Sequence, residues 1–229
     1  GSMNIFKASL HNNVEKVIHT STSEVYGTAK KIPITENHVL NAQSPYAASK
    51  VSADQMGMSF HKAFNLPLSI IRPFNTFGPR QSARAVISTI IIQSLLGKEI
   101  KLGNLKSTRD FTYIDDTVDA FLRTINNKKI IGEVINLGTG YEISIGQIVR
   151  FVEEILNKEI KIKIDKSRLR PKNSEVDRLI ASNYKAKKIL KWQPKLTGKK
   201  GFKEGLSITI NWFRENLHKI NFKSNIYNL

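Results

Sequence analysis

Two short segments bring together side chains able to move protons on a sugar or alcohol. The first is Ser21-Thr22-Ser23-Glu24-Val25-Tyr26-Gly27 and the second is Tyr46-Ala47-Ala48-Ser49-Lys50. Between them they supply hydroxyls, a carboxylate, a phenol and an ammonium. Tyr46 and Lys50 follow Ser44-Pro45, a helix-start signal, and side chains four apart on a helix share one face. An ammonium one turn beyond a phenol favours the phenolate and suits it to general-base work. Residues 16–21 read as a short strand, so Thr22, Ser23 and Glu24 fall just past its carboxyl end, the edge at which open α/β sheets bind ligands. Tyr-x-x-x-Lys alone is a common arrangement on solvated helices. Its weight here comes from the hydroxyl and carboxylate segment upstream.

The elements that must position these groups alternate between strand and helix. The periodicity predicts the end of a helix over 4–13, then strands at 16–21, 68–72, 100–103, 111–114, 133–137 and 160–164. Helices are expected at 45–64, 83–97, 115–127, 144–157, 182–190 and 199–215. Val86, Ile90, Ile91 and Leu95 form one apolar stripe of the 83–97 helix, and Ile148, Val152, Ile155 and Leu156 form another at 144–157. Asp115 and Asp116 stand where a helix N-cap is expected. Gly138-Thr139-Gly140 follows a strand and reads as a loop. No glycine-rich phosphate-binding turn follows any early strand.

The 229 residues are 40% hydrophobic, an ordinary content for a chain with a sizeable core. The longest apolar run, 86–96, is broken by polar residues and too short to span a bilayer, so no membrane attachment and a cytoplasmic protein are expected. There is no cysteine, which removes disulfides and thiolate metal sites. The five histidines have no metal-ligand spacing, and no metal is expected. Thirty-six Lys and Arg against 19 Asp and Glu give a net charge of +17, enough to raise nucleic-acid binding as a reading. The lysines are spread over helix faces and loops with few aromatic stacking platforms between them, so no nucleic-acid partner is expected.

With Arg72-Pro73-Phe74-Asn75-Thr76-Phe77-Gly78-Pro79-Arg80 downstream, the order of motifs resembles the extended short-chain dehydrogenase/reductase family, the NAD-dependent nucleotide-sugar epimerases and dehydratases. The likeness covers nearly everything after Gly1-Ser2-Met3, an opening similar to an expression-tag remnant. Residues 72–86, 108–116, 132–145, 168–179 and the ending 225–229 are most similar to the 4,6-dehydratases that act on nucleotide-linked N-acetylglucosamine in legionaminic acid biosynthesis, a cell-surface polysaccharide route. The resemblance implies a Rossmann-like, doubly wound parallel α/β sheet. It would be incomplete, lacking its first strands and glycine turn, so binding of NAD by this chain alone is expected to be weak or absent. Residues 1–75 and 108–138 are assigned to what remains of the NAD-binding domain, and 76–107 and 139–229 to a small α/β nucleotide-sugar domain. Family members commonly dimerise through the helix bearing the Tyr-Lys pair, which implies a homodimer.

The resemblance also implies roles. Tyr46 takes the sugar O4 proton as C4 is oxidised, Lys50 holds the phenolate, Thr22 hydrogen-bonds O4, and Glu24 removes H5 from the 4-keto sugar before water leaves C6. Ser23 stands where many such dehydratases carry an aspartic acid that protonates the leaving hydroxyl, and a serine is too weak an acid for that. The same Thr-Ser-Glu order occurs in GDP-mannose dehydratases and UDP-glucuronate decarboxylases, so epimerase and decarboxylase readings stay open. Ser21, Tyr46 and Lys50 are the implied cofactor contacts. Thr22, Asn75, Arg80, Arg84, Arg109 and Arg170 are the implied substrate contacts, with UDP or GDP as the nucleotide. Arginines can clamp a diphosphate by bidentate hydrogen bonds, although ion pairing or solvation is the plain alternative for each.

Overall fold

A computed structural model describes residues 1–169 and 171–219. Arg170 and the 225–229 ending therefore lie outside the described residues. The chain opens with α1 (Ser2–His11) and β1 (Val17–Thr20), followed by a single 3-10 turn at Ser23–Tyr26. Next come α2 (Pro45–Phe64), β2 (Leu68–Pro73), β3 (Asn75–Phe77), α3 (Val86–Leu96), β4 (Glu99–Leu102) and β5 (Thr108–Tyr113). The remainder is α4 (Ile114–Ile125), β6 (Val134–Leu137), β7 (Glu142–Ser144), α5 (Ile145–Leu156), β8 (Lys161–Ile164), β9 (Arg178–Leu179), α6 (Tyr184–Leu190) and α7 (Gly198–Asn216).

Among the described residues three sheets result. The first is parallel, in the order β1-β2-β6, with Thr20 opposite Ile71 and Ile71 opposite Ile135. In the second, β5 pairs in parallel with β3 and β9 and antiparallel with β7. A third, two-stranded sheet joins β4 and β8 in parallel. Strand, helix, parallel strand is the α/β pattern the sequence predicts.

The helix carrying Tyr46 and Lys50 is set by its ends and by one close contact. Ser44 caps it, its Oγ accepting from the Ala47 N–H at 3.1 Å, Pro45 fills the first turn, and Asn65 closes it in the left-handed conformation. Midway, Gly57 lets α2 approach β2 and α1, because a Cβ there would press on Leu68 and Phe6 at 3.0 and 3.2 Å. Phe6, Phe60, Leu66, Leu68 and Ile70 form the core between them. On the other face of the first sheet, Trp192 and Leu190 pack with Ile71, Ile135 and Leu137, so α6 lies against this sheet. The largest core gathers Phe77, Phe111, Phe151 and Phe202 where α3, α5 and α7 meet the second sheet.

Two expectations need correction. Helix α3 is not buried along one stripe, because Ser88, Thr89, Gln93 and Ser94 are buried together with Ile87 and 90–92. Its polar groups are satisfied locally: Ser94 Oγ donates to Ile90 O, and the Gln93 amide bonds both backbone groups of Lys101. Nor do Asp115 and Asp116 cap α4, whose N-cap position is Tyr113 with no side-chain cap. The Asp116 carboxylate instead accepts from the Lys195 and Leu196 N–H groups at 2.8 and 3.0 Å and fastens the connection between α6 and α7. Among the described residues no helix is long and apolar enough to cross a membrane.

Candidate active site

The 3-10 turn after β1 is built by its own motif. Thr22 is extended and accepts the Glu24 N–H on its Oγ1 at 3.2 Å, and Gly27 ends the turn at a φ of 62°. A Cβ at Gly27 would overlap Asn41 O, so both the positive φ and the close approach require glycine. The turn buries Ser23, Val25 and Tyr26 and leaves Glu24 facing outward.

Glu24 lines an open cleft of about 310 Å³ together with Asn75, Arg84, Asn104, Arg109 and Arg168. It also borders a second depression, shared with Ser44, Tyr46 and Ser174. The side chain of Asn75 presents an Oδ1 that is buried without a hydrogen-bond partner among the described residues, an acceptor left for a ligand to satisfy. Arg109 is buried on β5 and donates from Nη1 to Thr108 O at 3.0 Å. Tyr46 is 54% exposed at the start of α2, and Lys50, one turn on, donates from Nζ to Thr20 O at 3.0 Å, which ties α2 to the carboxyl end of β1.

The remaining candidates divide. Ser21 is buried and its hydroxyl donates to Asp54 Oδ2 at 2.9 Å, which ties the end of β1 to α2. Ser23 is buried too and does not line the cleft. Thr22 spends its acceptor on the turn, the local role available to any strand-end hydroxyl. Arg80 is exposed, in the left-handed conformation, and outside the cleft, whereas Arg84 lines it. Arg178 pairs with Glu142, and that hydrogen bond, more than the opposing effect of burial, holds the Glu142 carboxyl below its usual range. Sequence reasoning missed Arg168, which lines the cleft and pairs with Asp165 at 3.1 Å; a basic residue three after an acidic one in a loop carries no distinguishing signal.

Behind the site lies a buried polar chain that joins motif residues Ser21, Tyr26 and Arg72 to Asp54 and Asn136. Asp54 Oδ2 accepts from Ser21 Oγ and from Arg72 Nε at 2.9 Å, and His19 Nε2 lies 3.3 Å from its other oxygen, off the line of a good hydrogen bond. Burial would raise the Asp54 pKa, but the contact with His19, the charge of Arg72 and the Ser21 hydroxyl outweigh it and hold the carboxyl low. Arg72 donates in turn to the Tyr26 phenol at 2.8 Å, and Tyr26 donates to Asn136 Oδ1 at 2.7 Å. Burial raises the Tyr26 pKa against the opposing charge of Arg72, so this second tyrosine is a neutral structural donor.

Known proteins share this arrangement of strand, turn and helix. A family model described as GDP-mannose 4,6 dehydratase matches residues 1–205. The chain belongs to the NAD-dependent epimerase/dehydratase family. It is 34% identical to a UDP-glucuronate 4-epimerase of Thermodesulfobacterium geofontis over 96% of its own length and 66% of that protein. It is 33% identical to the human dTDP-D-glucose 4,6-dehydratase over 95% of its length and 62% of the relative's. The chain thus spans less than two thirds of the length of these relatives. Among solved structures, the UDP-glucuronic acid 4-epimerase from Bacillus cereus, in complex with UDP-glucuronic acid and NAD, superposes with a TM-score of 0.85 at 31% identity, covering 93% of this chain and 66% of that one. The dTDP-glucose 4,6-dehydratase from Bacillus anthracis in complex with NAD gives 0.84 at 28% identity, covering 95% and 67%. Family membership and the Rossmann-like fold therefore agree with the resemblance read from the motifs.

Proposed function

We propose that this chain carries the acid/base and substrate side of an NAD-dependent nucleotide-sugar 4,6-dehydratase acting on UDP- or GDP-linked N-acetylglucosamine. The observation that carries the reading is Glu24, which borders both the cleft holding Asn75 and Arg109 and the depression holding Tyr46. One carboxylate thus lies within reach of an anchored sugar and of the base that would take its O4 proton. NAD, the ligand named in the related structures, would supply the acceptor and donor of hydride when bound. Tyr46 and Lys50 suit that group, since both sit at the open carboxyl end of β1, while Ser21 is committed to Asp54.

In the proposed reaction Arg109, Arg84 and Arg168 hold the diphosphate and Asn75 orients the sugar. Tyr46 accepts the O4 proton, helped by the nearby ammonium of Lys50. Oxidation at C4 acidifies H5, Glu24 removes it, and the same carboxyl gives that proton to the departing C6 hydroxyl, which leaves as water; hydride returned to C6 and a proton taken up at C5 from solvent would then complete the 4-keto-6-deoxy sugar. Ser23 is not given the proton transfer to the C6 hydroxyl, because a serine hydroxyl is too weak an acid for it. A 4-epimerase is the second reading, favoured by the missing aspartic acid at position 23 and by the epimerase relatives. Incubating the full-length protein with NAD and UDP- or GDP-N-acetylglucosamine and weighing the product separates the two. Loss of one water supports the dehydratase, unchanged mass supports the epimerase, and no conversion of any nucleotide sugar overturns both.

A further inference from the structure

The buried chain behind the site touches every element that presents a reacting group. Asp54 lies four residues beyond Lys50 and eight beyond Tyr46 on α2, with 1% of its surface exposed. Its carboxylate takes Ser21 from the end of β1 and Arg72 from β2, and Arg72 passes the connection to Tyr26, the last residue of the turn that carries Glu24. Tyr26 continues to Asn136 on β6, whose amide Nδ2 donates to Ile34 O and whose N–H donates to Glu36. One hydrogen-bonded chain therefore links α2, the residue that follows β1, strands β2 and β6, and the 3-10 turn.

We infer that Asp54 and Arg72 are positioning residues, setting the separation between Tyr46 with Lys50 on one side and Glu24 on the other. The inference rests on the proposed reading of Tyr46 and Glu24 and adds to it the device that holds them in register. A buried ion pair is weak as a stabiliser, since a well-packed apolar pair of similar volume often replaces it without loss. A pair kept for geometry behaves differently from one kept for stability. Neither Asp54 nor Arg72 lines the cleft, so substrate affinity and turnover should separate when the pair is replaced.

The test is the Asp54→Leu/Arg72→Met double variant of the full-length protein. It should melt near the parent and bind the nucleotide sugar within about twofold, while kcat falls on the order of 10²-fold, as misplacement of catalytic groups by about 1 Å can produce. A kcat within about twofold of the parent overturns the inference, as does a loss of affinity that accounts for the whole loss in kcat/KM. The second measurement needs no turnover and uses Asp54→Asn in the 229-residue chain, read by amide hydrogen exchange. Gly27 and residues 48–54 should lose protection together while 145–156 keep theirs; a change in one segment alone, or in neither, also overturns it. If the parent converts no nucleotide sugar, the proposed function fails and the exchange result still decides the coupling.

Discussion

Tyr46 and Glu24 are assigned to different steps, and their variants should therefore differ in kind. Tyr46 is the exposed phenol of the site, whereas Tyr26, at the end of the turn that carries Glu24, is sealed by Arg72 and Asn136. In the full-length protein with NAD, Tyr46→Phe should abolish C4 oxidation and every later step, with no nicotinamide absorbance on adding substrate. Glu24→Gln should spare oxidation and block loss of water, so that absorbance and a 4-keto sugar accumulate on the enzyme. Release of dehydrated product by Glu24→Gln at near the parent rate would remove Glu24 as the base. Asp54 makes a separate prediction at acid pH. Its folded pKa lies below the unfolded value of about 3.9, so its stabilising effect is complete above that pH and is lost as pH falls through the lower folded value. Melting curves of the parent should fall more steeply below about pH 4 than those of Asp54→Asn; parallel curves would show that the carboxylate is not linked to folding.

At the scale of elements, much was legible because period and caps were strong. Ser44-Pro45 marked the start of α2, and Ser144 with Gln147 forms a capping box at the start of α5, where a helix was expected. What escaped were elements too short to have a period: β3 and β7 have three residues and β9 two, and all three pair with β5. The site was legible as residue types but not as geometry. Nothing in Ser21-Thr22-Ser23-Glu24 says which side chains turn inward, since that depends on Asp54 and Arg72, which lie far along the chain and meet the motif only in the folded state. Asp116 is the same case, read as a cap and found fastening residues 195 and 196. Asp116→Ala strands two backbone N–H groups and should cost about 1–3 kcal/mol for each left unsatisfied, seen as a lower midpoint in urea. An unchanged midpoint would mean that water satisfies them.

Among the described residues of the 229-residue chain β1 pairs with β2 on one side only, and Met3, Ile5, Met56 and Phe64 lie in solvent on the adjoining helices α1 and α2. A bare edge and exposed apolar groups both favour association with another chain. Opposing them is a net charge of +17, which repels copies at low ionic strength and is screened over about 10 Å at 0.1 M salt. Association should therefore rise with salt, the reverse of what a complex held by ion pairs would do. Light scattering of the 229-residue chain should move from monomer towards dimer as salt increases. The double variant Ile5→Lys/Phe64→Lys separates the two surfaces, because it adds charge to the helices and leaves the β1 edge intact. If the helices carry the contact, that variant stays monomeric at every salt concentration; if the edge carries it, the variant dimerises like the parent. A parent chain that remains monomeric at high salt and high concentration would show that neither surface recruits a second copy.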